Sequence, residues 1–190
     1  PFNQLSAKLI GGRRFDTLQQ CELGVLPKTM DIMGLAYAAV IAEAVENLTE
    51  DYSPQEEIFV LLQQALVLLS SHNKRLVVVS SLCKLLSLCG FDPELEVCTT
   101  CHEKIEGDAY FSTVQGGVVC DHCSTGVELP FAVGTRELML KLQRLDFENP
   151  EKFVVRGADL MQLEQTLYKF LVYQTDKPLV SLQFLAQMSV

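Results

Sequence analysis

Cys98-Thr99-Thr100-Cys101 and Cys120-Asp121-His122-Cys123, two Cys-x-x-Cys pairs with eighteen residues between them, decide how this chain is read. Each pair can wrap a tight knuckle around a metal, and the interval is long enough for a short hairpin that brings the second knuckle back to the first. Four thiolates complete the tetrahedron that zinc prefers. A closed four-sulfur shell leaves no open position for water or substrate. The ion expected at Cys98, Cys101, Cys120 and Cys123 is therefore one structural zinc that holds a small module together.

The stretch between the pairs supports that reading. Ile105 to Ser112, then Val114, Gly116-Gly117 and Val118-Val119, reads as two short strands around a glycine turn, the pattern of a zinc ribbon. Disulfides would need an oxidising compartment, and a thioredoxin-like redox motif would need a strand-helix context that this stretch lacks. A zinc deaminase would need His-x-Glu upstream of Pro-Cys-x-x-Cys. His102-Glu103 follows the first knuckle and does not have that order. His102 and His122 are expected as knuckle residues facing solvent, with replacement of a cysteine ligand as the other reading; His72 shares no carboxylate or nucleophile spacing with them.

Outward from the ribbon, the chain is helical. A capping position at Thr29 or Asp31 opens a helix to about Leu48 with Ile32, Leu35, Val40, Ile41 and Ala44 on a wide apolar face. Ser53-Pro54-Gln55-Glu56 has the form of a capping box with proline in the first turn, and Phe59, Leu62, Ala65, Leu66 and Leu69 follow at helical spacing. A third helix from Lys74 to Cys89 is apolar nearly all round, which marks it as central, and Gly90 ends it. After the ribbon, Glu128 to Phe131 reads as a connector. A short helix opens at Gly134 or Thr135 and runs through Leu145, a loop spans Phe147 to Arg156, and helices over Asp159–Tyr173 and Leu179–Met188 complete the set. Ahead of everything, residues 5 to 23 alternate as strand, turn and strand, too little to make a sheet alone.

With 190 residues, of which 48% are hydrophobic, the chain can bury a sizeable core with a small appended module. No apolar run reaches the length of a membrane span. Cys21, Cys83 and Cys89 sit at positions that suit buried thiols, and with no apolar signal core at Pro1-Phe2-Asn3 a reducing cytoplasm is expected. The opening residues read as the tail of a segment already under way. A net charge of −9 repels polyanions, so nonspecific binding of nucleic acid by the molecule as a whole is disfavoured and local basic patches remain.

The run Cys83-Lys84-Leu85-Leu86-Ser87-Leu88-Cys89-Gly90-Phe91-Asp92-Pro93-Glu94-Leu95 into Cys98-x-x-Cys101, then Phe111-Ser112, Gly116-Gly117, Cys120-x-x-Cys123 and Pro178 to Leu185, resembles the bacterial recombination mediators of the RecO family. Pro1-Phe2-Asn3 and Arg13-Arg14 are similar to the closing part of that family's N-terminal OB-fold. The resemblance implies a mainly α fold: a helical bundle with an inserted four-cysteine zinc ribbon, preceded by a remnant of an OB-fold β-barrel. Its divisions are 1–26 for the OB remnant, 27–95 and 128–190 for the bundle, and 96–127 for the ribbon. The resemblance implies no enzyme. It implies DNA repair and homologous recombination of the RecF-pathway type: binding single-stranded DNA and the acidic tail of single-strand binding protein, annealing strands, and loading RecA with RecR, in the cytoplasm at the nucleoid. Three departures qualify it. Most of the OB-fold is absent from this sequence, and DNA binding in the family depends largely on it. Val180 stands where a Lys is expected, and His102 where glycine is common, which implies a less tight turn or a spare ligand.

Several residues carry two readings. Arg13 and Arg14 are phosphate contacts or two solvated arginines of a turn. Lys74, Arg75 and Lys84 are the rim of a pocket for an acidic tail with an aromatic end, or ordinary helix-end placement. Arg136, Lys141, Arg144, Lys152 and Arg156 form at best a partial basic stripe. Tyr110 and Phe111 stack on bases or form the ribbon core. An enzyme with a ribbon lid would show a phosphate loop or a dinucleotide glycine fingerprint, and neither occurs. A zinc-containing interaction adaptor without DNA binding is the remaining alternative. The ribbon is expected to be an accessory whose loss leaves the bundle folded.

Overall fold

The computed structural model describes residues 2–24, 30–50, 53–150 and 154–188. Six helices dominate it: α1 (Ile32–Leu48), α2 (Glu56–Leu69), α3 (Lys74–Leu88), α4 (Val133–Arg144), α5 (Gly157–Thr175) and α6 (Val180–Met188). Two small sheets accompany them. Strands β1 (Leu5–Ile10) and β2 (Thr17–Leu23) pair antiparallel; β3 (Ala109–Ser112), β4 (Gly117–Val119) and β5 (Leu129–Phe131) form a sheet in the order β4-β3-β5.

Helix α3 occupies the centre, as its all-round apolar sequence predicts. Val77, Val78, Val79, Leu82, Cys83, Leu85 and Leu86 are all buried, and the two buried serines bond internally, Ser80 Oγ donating to the Leu142 carbonyl at 3.0 Å and Ser81 Oγ to the Val77 carbonyl at 2.8 Å. Its start is fixed by Asn73, whose side chain accepts from the Leu76 amide. Its end is fixed by Gly90, which holds a φ of +78°. Asp31 caps α1 by accepting from the Gly34 amide at 2.7 Å. The other candidate cap, Thr29, lies outside the described residues.

Three sequence expectations are corrected. Ser53 does not cap α2: the helix begins at Glu56 after Gln55 at φ −128°, ψ 72°, and the Ser53 hydroxyl accepts from the Gln55 side chain instead of a backbone amide. A non-helical residue between the proline and the first acid breaks the register that a capping box needs. The stretch read as a connector is strand β5, whose Ala109↔Phe131 and Phe111↔Leu129 pairs extend the ribbon sheet by an edge strand. Pro130 is tolerated there because an edge strand has one side free of ladder bonds. The first ribbon strand is also shorter than read, since Ile105 lies outside β3 and donates its amide to the Glu96 carbonyl at 2.9 Å.

The ribbon sheet shares its core with the helices. Phe111 of β3 is fully buried between Phe131, at 5.3 Å between ring centroids, and Phe170 of α5, at 5.4 Å and nearly edge-on. The ribbon also supports the first turn of α4, because Asp108 accepts from the Val133 amide at 2.9 Å.

Candidate metal centre and charged surfaces

Both knuckles are closed by backbone bonds that aim sulfurs inward. In the first, the His102 amide donates to the Cys98 carbonyl at 2.9 Å and the Cys98 amide to the Glu103 carbonyl at 2.8 Å. In the second, the Ser124 amide donates to the Cys120 carbonyl at 3.0 Å. The tight turn at Gly116-Gly117 brings the second knuckle over the first. Gly116 takes a φ of +69°, and a Cβ on Gly117 would stand 2.6 Å from the Glu94 carbonyl oxygen.

The four ligand sulfurs of Cys98, Cys101, Cys120 and Cys123 lie within 4.8 Å of one another, and the Cys101 and Cys120 sulfurs are 3.8 Å apart. A tetrahedral Zn–S length of about 2.3 Å requires sulfurs about 3.8 Å apart, so the cluster fits that ion. Among the described residues it is the only such group of cysteine, histidine and carboxylate ligands, and none of its thiols is in a disulfide. Burial raises the Cys98 thiol, but the amides of Cys101, Cys120 and Thr100 outweigh it and bring the thiol down to about 6. Bonding to Cys120 and crowding by the other thiols push Cys123 up to about 12. One thiolate thus forms readily, and divalent zinc supplies the charge that lets all four ionise. This centre can hold a metal ion as a closed structural site.

His102 adopts a φ of +62°, the left-handed conformation that glycine would take in this knuckle. The turn is therefore as tight as the glycine form, correcting the expectation of a looser one. His102 and His122 are both exposed and lie outside the sulfur cluster.

The basic candidates do not converge. Arg13 and Arg14 are exposed in the turn between β1 and β2, beside Phe15, which is 85% exposed. Lys74 pairs with Asp31 at 3.2 Å, and Arg75 holds Glu164 through two guanidinium nitrogens. Lys84 lies near the far end of α3, where its ammonium donates to the Gln143 carbonyl at 3.0 Å and stands 5.4 Å from the Phe147 ring centroid. The stripe of the second half also disperses: Arg136 is buried, Arg156 pairs with Asp159 at 3.6 Å, and Lys152 lies outside the described residues. Phe111, being internal, has no free face for a base.

Lys84 borders a feature that the sequence did not reveal, a groove of about 620 Å³ between α2, α3 and the segment after α4. Its apolar floor includes Val60, Leu88 and Phe147, and its rim carries Glu56, Glu57 and Asp146. The lining comes from three separate segments, 56–64, 84–88 and 143–147, so no local pattern announces it. Among the described residues no helix is long and apolar enough to cross a membrane.

The family described as "Recombination protein O C terminal" matches residues 30–183, which takes in nearly all of the helical bundle and the ribbon. The chain belongs to the RecO family. Among its relatives, the DNA repair protein RecO of Pelotomaculum thermopropionicum is 31% identical over 97% of this chain and 74% of its own length. The corresponding protein of Desulforamulus reducens is 29% identical with the same coverage. That of Desulfatibacillum aliphaticivorans is 31% identical over 82% of the chain and 64% of its own. RecO membership agrees with the mainly helical architecture and with the cysteine cluster set within it.

Proposed function

We propose that the chain serves DNA repair and homologous recombination as a non-enzymatic mediator, binding single-stranded DNA and single-strand binding protein and acting with RecR to load RecA. The observation that carries this reading is the family match over residues 30–183, supported by a zinc-compatible cluster. The β1–β2 hairpin is assigned as the closing part of an OB-fold. Arg13 and Arg14 at its tip present guanidinium groups to phosphates, with Phe15 beside them offering a face to a base.

The acidic tail of single-strand binding protein is assigned to the N-terminal end of α3. The helix dipole there adds to Lys74 and Arg75, whose present carboxylate partners Asp31 and Glu164 mark the places a tail carboxylate would compete for. Lys84 is the third base in this assignment but stands apart, at the groove.

Fluorescence anisotropy tests both contacts in the zinc-loaded chain. A labelled tail peptide should bind in a salt-sensitive way that requires its terminal residues, and Lys74→Glu with Arg75→Glu should weaken it about tenfold or more. A labelled single strand should lose affinity with Arg13→Glu and Arg14→Glu. Peptide binding with no DNA binding would favour the adaptor reading, and neither would remove the proposal for this chain.

A further inference from the structure

The groove beside Lys84 has the wrong charge for an acidic tail. Its rim carboxylates Glu56 and Glu57 project from the first turn of α2, both exposed and, among the described residues, neither in an ion pair. Asp146 stands at the other side of the groove. Against these three carboxylates the groove has one ammonium, and Lys84 is committed: it is half-buried, bonded to the Gln143 carbonyl and set against the Phe147 ring. Below the rim lie apolar side chains, with Val60 40% and Leu88 39% exposed. An occupant suited to this groove is cationic at its ends and carries one large apolar side chain.

The chain itself presents such a segment. The hairpin turn Gly12-Arg13-Arg14-Phe15 projects two exposed arginines, and its Phe15 ring is the most exposed aromatic side chain on the described surface. The nearest acid, Asp16, is turned back to accept from the Gly12 amide at 3.3 Å. Neither arginine has an ion-pair partner among the described residues. None of Gly12, Arg13, Arg14 and Phe15 lines the groove of its own molecule. A second copy is therefore the source of the contact.

We infer that the Arg13-Arg14-Phe15 tip of one copy docks into the Glu56/Glu57/Asp146 groove of a second copy, with Phe15 on the apolar floor and the arginines on the rim. The contact is heterologous, so it leaves one tip and one groove free and can propagate or close into a ring. The general repulsion between molecules of net charge −9 keeps it weak. The tip is also the one assigned above to DNA, so a single strand would compete with self-association, although the docking itself does not depend on the DNA reading.

Sedimentation velocity of the zinc-loaded chain over a wide range of concentration tests the inference. The wild-type chain should sediment faster as concentration rises. The paired reversals Arg13→Glu/Arg14→Glu and Glu56→Lys/Glu57→Lys should each weaken association about tenfold or more, and mixing the two variants should restore it by matching a reversed tip with a reversed groove. Phe15→Ser, which leaves charge unchanged, should also weaken it. All five positions are exposed, and far-UV circular dichroism with zinc content verifies that each variant is folded. A monomer at every concentration, or association that Glu56→Lys/Glu57→Lys leaves intact, overturns the inference. The DNA reading fails separately, on the affinity of the Arg13→Glu/Arg14→Glu variant for a single strand, since the groove variant keeps its tip.

Discussion

Glu43 of α1 caps α6 from across the bundle: its carboxylate accepts from the Ser181 amide at 2.8 Å, from the Ser181 hydroxyl, and from the Val180 amide at 2.7 Å. The last helix follows an αL residue, Asp176 at φ 51°, and a proline. A carboxylate from the first helix satisfies amides that α6 leaves unpaired at its start. The same contact shows why Val180 is accommodated at a position where lysine is expected: its backbone is engaged while its side chain is 61% exposed.

Burial raises the Glu43 carboxyl, but the bonds from Ser181 and Val180 outweigh it, and the group lies below its ordinary range. Its folded value is thus depressed relative to the unfolded one. Its contribution is complete above the ordinary carboxylate range and is lost as pH falls through the folded value. Glu43→Ala should cost about 1 kcal/mol at neutral pH, discounted for partial exposure, and the difference from wild type should vanish on acidification. Urea midpoints measured along a pH series provide the check.

Phe111→Ala should destabilise the whole chain by about 3–5 kcal/mol, because the ring fills the space between Phe131 and Phe170. The expectation that the ribbon is merely appended would instead predict loss of ribbon order with an unchanged helical transition. With Phe170 on α5, the helical signal and a ribbon probe should melt together at a lowered temperature. Circular dichroism at a helical wavelength alongside the NMR amide signals of β3 and β4, followed through the same melt, distinguishes the two outcomes.

Much of this was legible in the sequence because it was local. Cys-x-x-Cys spacing, the capping residue Asp31 and the terminating Gly90 each act within a few residues of where they stand. The misreadings have a common origin. Leu129-Pro130-Phe131 looked like a connector because its strand character comes from pairing with Ala109 to Phe111, about twenty residues away. Ser53 satisfied a local motif that the conformation of Gln55 overrode. The cap supplied by Glu43 to Ser181 spans 138 positions, and the groove is assembled from three separate segments. No periodicity encodes such meetings.

His102→Gly should stabilise the zinc-loaded chain by about 1 kcal/mol. A non-glycine residue at φ +62° bears a steric cost that glycine avoids, and the exposed imidazole has no place among the ligands to lose. The gain is limited by the greater freedom of glycine in the unfolded chain. If His102 were a spare ligand, the substitution would instead weaken metal retention. A chelator-competition titration run beside a urea melt separates these outcomes.

Metal removal should propagate further than the ribbon. The sulfur cluster fixes both knuckles, and the backbone joins them to the rest at several points: the Thr99 amide donates to the Val118 carbonyl at 2.9 Å, and β3, paired with β4, carries Phe111 into the helical core. Small zinc modules gain roughly 10–16 kcal/mol of apparent binding energy at neutral pH, more than most folded domains possess in total stability. Cys98→Ser should therefore lower zinc content, lower the melting temperature and loosen the packing of α5 around Phe170, while α1, α2 and α3 keep a core of their own and retain helical signal. Hydrogen exchange resolves this by segment. Amides of α5 should exchange faster in Cys98→Ser than in wild type, and those of α3 should change least. Uniform acceleration in all six helices would mean that the metal holds the entire bundle, and acceleration restricted to residues 96–127 would mean that Phe111 transmits nothing to α5.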